Sequence, residues 1–85
     1  MRDVESLSEN FTDNLHKMIG KKVKASREEK GLTQLELSQL IGHKSVTVIS
    51  RAEIHYKNQH FNVEHLVKIA YVLEVDISDL VPQDF

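Results

Sequence analysis

The apolar residues near the start of this 85-residue chain recur every three or four positions, the spacing that places side chains on one face of a helix. The first such stripe consists of Phe11, Leu15, Met18, Ile19 and Val23. It predicts a first helix over about residues 10–30, ending before Gly31, because glycine readily takes the left-handed conformation that ends helices. Gly20 weakens a helix by about 1 kcal/mol relative to alanine, so a separate N-terminal arm is the alternative. We favour one continuous helix.

Helix-start signals recur further along the chain. Thr33 opens a capping box, in which the side chains of the first and fourth residues each accept a hydrogen bond from the other's backbone N–H. Asn62 and Asp76 also suit the N-cap position, whereas Ser45 gives a weaker start because no acidic residue completes a box. With Gly42 as a stop, these signals predict four more helices, at about residues 34–41, 46–54, 63–73 and 77–81. No long stretch alternates with period two, so the chain is predicted to be an all-α, five-helix bundle.

The second and third predicted helices are separated only by Gly42, His43 and Lys44. Two short helices joined by three or four residues that include a glycine are the sequence form of a helix-turn-helix, whose helices cross at roughly 90–120°. Neither helix is long enough to be stable alone, so both must pack against the first and fourth helices. On geometry alone, an ordinary corner in a small bundle is the simpler interpretation.

Three runs of residues give information that the helix geometry alone does not. They are REEKGLTQLEL at 27–37, ISRAE at 49–53 and LVKIAYVLEV at 66–75. In this order and spacing they resemble the Xre family of helix-turn-helix domains, typified by phage Cro and repressor proteins. The resemblance implies a lambda-repressor-like bundle that binds double-stranded DNA, commonly as a homodimer, with helix 3 in the major groove. It divides the chain into an N-terminal extension (1–18) that continues into an extended first helix, the domain itself (19–81) and a C-terminal tail (82–85).

The resemblance also implies which residues contact DNA. Gln34, at the start of helix 2, is expected to meet a phosphate. The exposed face of the recognition helix and the turn before it comprise Lys44, Ser45, Val46, Thr47, Ser50 and Arg51. Arg51 is the best base reader among them, because a guanidinium pairs bidentately with guanine. In the loop after helix 3, Lys57 and Asn58 are expected to contact phosphate, although a loop that serves only to reach Asn62 is the alternative.

A structural pair is implied as well. Arg27 and Glu53 match a salt bridge that joins helix 1 to the end of helix 3 in the family. The chain departs from the family pattern in several places. One residue is added between Gly42 and Ile49, Val46 and Val48 are apolar where polar residues are common, the usual glycine and proline after Glu53 are missing, and Ser26 replaces a larger apolar residue. The register of the residues before Ile49 at the groove is therefore less firmly implied than that of the residues after it.

Charge and composition narrow the function classes. Residues 1–15 carry a net charge of −3, residues 16–68 one of +5, and residues 69–85 one of −4. A basic middle between acidic ends suits a DNA-binding face, although a mixed solvated surface explains the charges equally well. The chain has no cysteine, no membrane-length apolar run and no apolar segment of a secretion signal near its start, so a cytoplasmic protein is expected.

No enzymatic constellation is apparent. The histidines at 16, 43, 55, 60 and 65 lack the spacing of a metal site and are expected at the surface, and neither a metal nor a cofactor is predicted. The resemblance therefore implies a dimeric, sequence-specific DNA-binding transcriptional regulator that occupies an operator, either as a repressor or as an activator. The alternative is an antitoxin or other protein-interaction module whose acidic ends bind a partner such as a toxin.

Two apolar groups are candidates for pairing between copies. The first is the stripe Phe11, Leu15 and Met18 of the N-terminal extension, for which extra core is the favoured interpretation. The second is the C-terminal group Ile77, Leu80, Val81 and Phe85, which the resemblance favours because Xre domains often dimerise through their last helix.

Overall fold

The computed structural model describes residues 1–83 and contains four α-helices and no strand over that range. The helices are α1 (Phe11–Glu29), α2 (Gln34–Leu40), α3 (Thr47–Glu53) and α4 (Val63–Leu73). Three short 3-10 turns lie at Val4–Ser6, Tyr56–Asn58 and Ile77–Leu80. The all-helical class is confirmed, and α1 continues through Gly20 without a break. Within the described residues no helix combines the length and apolar character that a membrane span requires.

The predicted fifth α-helix is wrong, because the segment forms only the 3-10 turn Ile77–Leu80. Its start is built as expected: an Asp76 carboxylate oxygen accepts the N–H of Ser78 at 3.0 Å. Its continuation is blocked two residues after the turn. Pro82 disfavours the helical conformation of the residue before it, and Val81 is accordingly extended, with φ −120° and ψ 131°. The described chain therefore has four α-helices rather than five.

The local signals at the other helix ends act as expected. The Thr33 hydroxyl accepts the Glu36 N–H at 3.1 Å while the Glu36 carboxylate accepts the Thr33 N–H at 2.9 Å, which completes the capping box. The Asn62 side chain accepts the N–H of His65 at 2.7 Å. Gly31 and Gly42 both have positive φ, 72° and 87°. α3 begins at Thr47, one residue later than predicted.

A single hydrophobic core forms between the four α-helices and the Ile77–Leu80 turn. Its fully buried apolar side chains are Val23, Leu37, Ile49, Ile69, Leu73 and Leu80. Leu15 packs against this core, so for this residue the N-terminal stripe serves as extra core, as predicted. Met18 of the same stripe remains 45% exposed.

The C-terminal group named as a pairing surface is partly used inside the chain itself. Leu80 has no exposed surface and Val81 is half-buried against the core. Only Ile77, 39% exposed, is left facing outward within the described part of that group, and Phe85 lies outside the described residues. Leu80 therefore cannot contribute to a surface between two copies.

Gly20 explains why α1 tolerates a glycine in its middle. A Cβ added at this position would lie 2.5 Å from the backbone oxygen of Glu53 and 2.6 Å from that of Ala52, closer than carbon and oxygen can approach. The helical penalty of about 1 kcal/mol for glycine is thus offset by a direct contact between α1 and the last turn of α3. This contact fixes the position of α3 relative to α1.

Candidate nucleic-acid interface

The corner between α2 and α3 is held from the inside. Leu37 and Ser38 of α2 are buried, as are Ile49 and Ala52 of α3. Ser38 donates its hydroxyl hydrogen to the backbone oxygen of Gln34 at 2.9 Å, so this small polar residue is satisfied where the two helices pack. Because both helices are only seven residues long, their stability comes from this burial rather than from helix propensity.

The residues expected to face DNA differ in how they are held. Arg51, Lys44 and Ser45 are exposed, while Val46, Thr47 and Ser50 are half-buried. The Ser45 oxygen accepts the Thr47 N–H at 3.1 Å, and the two hydroxyls share a hydrogen bond of 2.8 Å. Ser50 donates to the backbone oxygen of Thr47 at 3.2 Å. The three hydroxyl groups are therefore engaged locally, whereas the guanidinium of Arg51 extends from the surface.

The loop after α3 presents a second group of polar residues beside Arg51. Tyr56 lies between two cations: the Arg51 guanidinium is 5.6 Å from its ring centre and the Lys57 ammonium is 5.4 Å from it, within cation–π range. His55, Lys57 and Asn58 have φ values of 54°, 48° and 63°. This left-handed conformation costs roughly 1–2 kcal/mol in most non-glycine residues, asparagine being the usual exception. Without the glycine of the family pattern, non-glycine residues of this loop take the left-handed conformation, and the backbone there is strained. Lys57 and Asn58 are both exposed in this loop.

Arg27 and Glu53 lie together beneath this surface. The Arg27 Nε and Nη2 atoms donate to the two carboxylate oxygens of Glu53 at 2.8 and 3.1 Å, and Nη1 donates to the Leu32 backbone oxygen at 2.7 Å. The hydrogen bond to Glu53, stronger than the opposing effect of burial, raises the pKa of Arg27 above its ordinary value. Both residues are buried, at 7% and 2% exposure.

Gln34 has a role that the sequence did not indicate. Its side-chain amide donates to Glu53 at 2.9 Å, so it completes the set of donors around this carboxylate. The side chain expected to meet a phosphate is therefore half-buried and engaged within the domain. The two residues are 19 positions apart, and no local pattern pairs them.

The expectation of five surface histidines is wrong. Only His60 is exposed; His55 is 8% exposed, and His16, His43 and His65 are half-buried. His16 of α1 stacks on His60 with 3.6 Å between ring centres and lies 5.8 Å from His55. Burial, followed by the neighbouring His60 and His55, lowers the pKa of His16, against the opposing effect of Asp13. The sequence gives no signal for this cluster, which joins α1 to the loop after α3.

His65 plays a separate, structural role at the start of α4. Its Nδ1 atom accepts the backbone N–H of Asn62 at 3.1 Å, closing a capping box in which a histidine replaces the usual acid. Burial lowers the pKa of His65, and the neighbouring His43 adds to this effect. Across residues 1–83, no group of three or more histidine and carboxylate side chains is arranged to hold a metal ion.

Two short helices meeting at a glycine turn, with the second helix packed by its inner face and carrying an exposed arginine, define a helix-turn-helix domain. A helix-turn-helix family model matches residues 23–80, more than half of the chain. The chain therefore belongs to the helix-turn-helix family of the Xre and Cro type, which consists of DNA-binding regulatory domains rather than enzymes. No curated protein matches the chain.

Proposed function

We propose that this protein is a sequence-specific transcriptional regulator that occupies an operator with α3 in the major groove and so represses transcription. The observation that carries this proposal is the placement of Arg51. It is exposed at the last turn of a helix whose opposite face is buried, and no ion pair occupies its guanidinium within the described residues. A planar guanidinium that carries no ion pair among residues 1–83 and lies beside the Tyr56 ring is suited to bidentate pairing with the O6 and N7 atoms of guanine.

The other residues take supporting roles in this proposal. Val46 and Thr47 offer methyl groups at the groove, where they suit the methyl group of thymine. Lys44 lies before α3, and Lys57 and Asn58 follow it, so these residues flank the helix and suit phosphate contacts that set its register. Together they would place cationic groups at both ends of the reading helix.

The proposal is tested by selecting duplexes from a random pool with the wild-type protein. Arg51→Ala is expected to lose about 1–3 kcal/mol of discrimination at one base pair. Arg51→Lys is the matched control, because it retains the charge without the planar fork. It should keep the salt dependence but lose the base preference. A wild-type protein that selects no sequence and binds DNA without salt dependence would contradict the proposal.

Phosphate contact by the loop is tested separately. Lys57→Ala should weaken binding to all sequences alike and lower the salt slope by about one. The control is Lys22→Ala, which removes an equally charged, exposed residue in the middle of α1, outside this loop. An unchanged slope for Lys57→Ala would remove this residue from the interface while leaving the role of Arg51 intact.

We further propose that the regulator acts as a homodimer. An exposed apolar groove of about 550 Å³ supports this, lined among others by Leu40 at the end of α2 and by Val67 and Tyr71 of α4. These three side chains are 53%, 52% and 83% exposed. A second copy is the proposed occupant, since two recognition helices one DNA turn apart, about 34 Å, would read a palindromic operator.

Sedimentation at micromolar concentration tests the dimer. The wild type should sediment as a species of twice 9.8 kDa, and Tyr71→Glu should convert it to monomer without loss of helical signal. Val63→Glu is the control, because Val63 of α4 is also exposed, at 73%, but lies outside the groove. A wild-type protein that sediments only at 9.8 kDa would contradict a strong dimer.

An antitoxin is the second candidate, favoured by one observation. The C-terminal segment exposes Glu74, Asp76 and Asp79 without a basic residue among them, so it suits a basic protein partner. This candidate predicts that a protein encoded by a neighbouring gene co-purifies with the chain and is released by high salt. A regulator acting alone predicts no such partner.

A further inference from the structure

α1 carries three lysines that the helix-turn-helix site described above does not use. Lys17, Lys21 and Lys24 are separated by four and three residues, so they lie along one flank of the helix. All three are exposed, and none forms an ion pair within the described residues. This flank therefore carries a local positive charge, although the formal net charge of the whole chain is −2.

The carboxylates nearest along the helix do not neutralise this flank. Asp13 and Glu28 lie one turn beyond its two ends. The Asp13 carboxylate faces His55, with 3.8 Å between Oδ1 and Nε2. Glu28 acts on the neighbouring Arg27, whose pKa it helps to raise after the larger effect of Glu53. The three lysines are thus left available to an external anion.

Their position relative to α3 indicates what that anion is. Lys17, Lys21 and Lys24 line one groove with Ile54, the residue that follows α3, and with Glu53, whose carboxylate already accepts hydrogen bonds from Arg27 and Gln34. Ile54 follows Arg51 by three residues, so both lie on the same side of α3. At Gly20 the backbone of α1 lies directly against the last turn of α3. A DNA strand that passes Arg51 would therefore run close to the lysine flank.

We propose that Lys17, Lys21 and Lys24 form a second DNA-binding surface, which contacts backbone phosphates beside the major-groove site. This inference rests on the proposed function, because it requires α3 to lie on DNA. The flank extends about 10 Å along the helix axis at 1.5 Å per residue. That length corresponds to the axial rise of about three successive phosphates on one strand, at roughly 3.4 Å each. The extension of α1 thereby enlarges the footprint without adding base readout.

The test compares the salt dependence of two charge-matched variants of the full chain. The probe is a 30-base-pair duplex recovered with the wild type from a random pool. Lys21→Gln with Lys24→Gln should lower the slope of log K against log salt by about 1.8, since each phosphate contact contributes about 0.9. The control removes the same charge elsewhere: Lys22, on the other flank of α1, and Lys30, the exposed residue that follows α1, become glutamine. Its slope should stay near the wild-type value.

The expected difference is readily measured. Between 50 and 200 mM salt the wild type should lose about 12-fold more affinity than the Lys21 and Lys24 double variant, and adding Lys17→Gln should raise that factor to about 40-fold. The base preference should not change, because phosphate contacts carry no sequence information directly.

Three outcomes would overturn the inference. If both double variants lower the slope equally, the effect is one of overall charge. If the slope is unchanged and only the melting temperature falls, the lysines merely stabilise the negative C-terminal end of α3. In both cases sequence-selective binding by the wild type leaves the proposed function standing. A wild type that does not bind DNA would overturn the function and the inference together.

Discussion

The pair Arg27 and Glu53 offers the sharpest test of how α3 is held. Glu53→Gln retains the shape of the side chain but removes its charge and one acceptor oxygen, leaving the Arg27 cation 7% exposed without an anion. Breaking a buried pair in this way costs about 3–5 kcal/mol. A domain of this size has a total stability of roughly 4–13 kcal/mol, at 0.05–0.15 kcal/mol per residue. The substitution should therefore remove a large part of the stability.

Urea unfolding monitored by circular dichroism measures this loss. For an m-value of about 1–1.5 kcal/mol/M, the midpoint should fall by about 2–5 M. The effect should persist in 1 M salt, since a buried pair is screened far less than an exposed one. The matched control is Glu64→Gln, which breaks the exposed pair with Lys68 and should cost at most about 1 kcal/mol.

A double substitution separates the loss of the pair from the loss of packing. Arg27→Met with Glu53→Met replaces both charges by apolar side chains, and such a replacement is often neutral or stabilising. It should recover part of the stability that Glu53→Gln loses, because the buried cation is gone while the Leu32 backbone oxygen and the Gln34 amide still lose their partners. If Glu53→Gln costs less than about 1 kcal/mol, the pair behaves like a solvated surface pair and the reasoning from burial is refuted.

Three further changes follow from the same contacts. Gly20→Ala should destabilise the protein by about 1–3 kcal/mol in urea despite the higher helix propensity of alanine, because the added carbon collides with the α3 backbone. Lys57→Gly should raise the stability by about 1 kcal/mol relative to Lys57→Ala, since both lose the cation but only glycine relieves the positive φ. The lowered pKa values of His16 and His65 mean that the unfolded chain binds protons more readily than the folded one. Stability should therefore be highest above about pH 6.5, the ordinary histidine pKa, and the urea midpoint should fall as the pH decreases towards 5.

The features that the sequence predicts well are the ones decided within a few residues. The box at Thr33, the cap at Asn62 and the left-handed Gly31 and Gly42 each depend on neighbours in the chain, so a single sequence suffices to locate them. The fifth helix is wrong for a related reason. Asp76 does cap the segment, but a start signal does not determine the length of a helix, and Pro82 stops the segment after one 3-10 turn.

The features that the sequence does not reveal depend on residues distant along the chain. The stacking of His16 on His60 and the burial of His55 arise only after α1 packs against the loop that follows α3. The hydrogen bond from Gln34 to Glu53 likewise joins the start of α2 to the end of α3. Family resemblance suggested a phosphate contact for Gln34 because it compares positions rather than side-chain partners.

These distant contacts also divide the reading helix into two unequal halves. The buried residues of α3 are Ile49, Ala52 and Glu53, and the backbone contact with Gly20 is at its last turn as well. The first turn is held by the buried Ile49 and by the local hydrogen bonds between Ser45 and Thr47. The last turn has two buried residues, the hydrogen bonds from Arg27 to Glu53 and the backbone contact with Gly20, so it makes the larger share of the contacts that orient α3. Arg51 belongs to that turn, which favours it for the proposed base readout, whereas Val46 and Thr47 lie where the chain has one residue more than the family pattern.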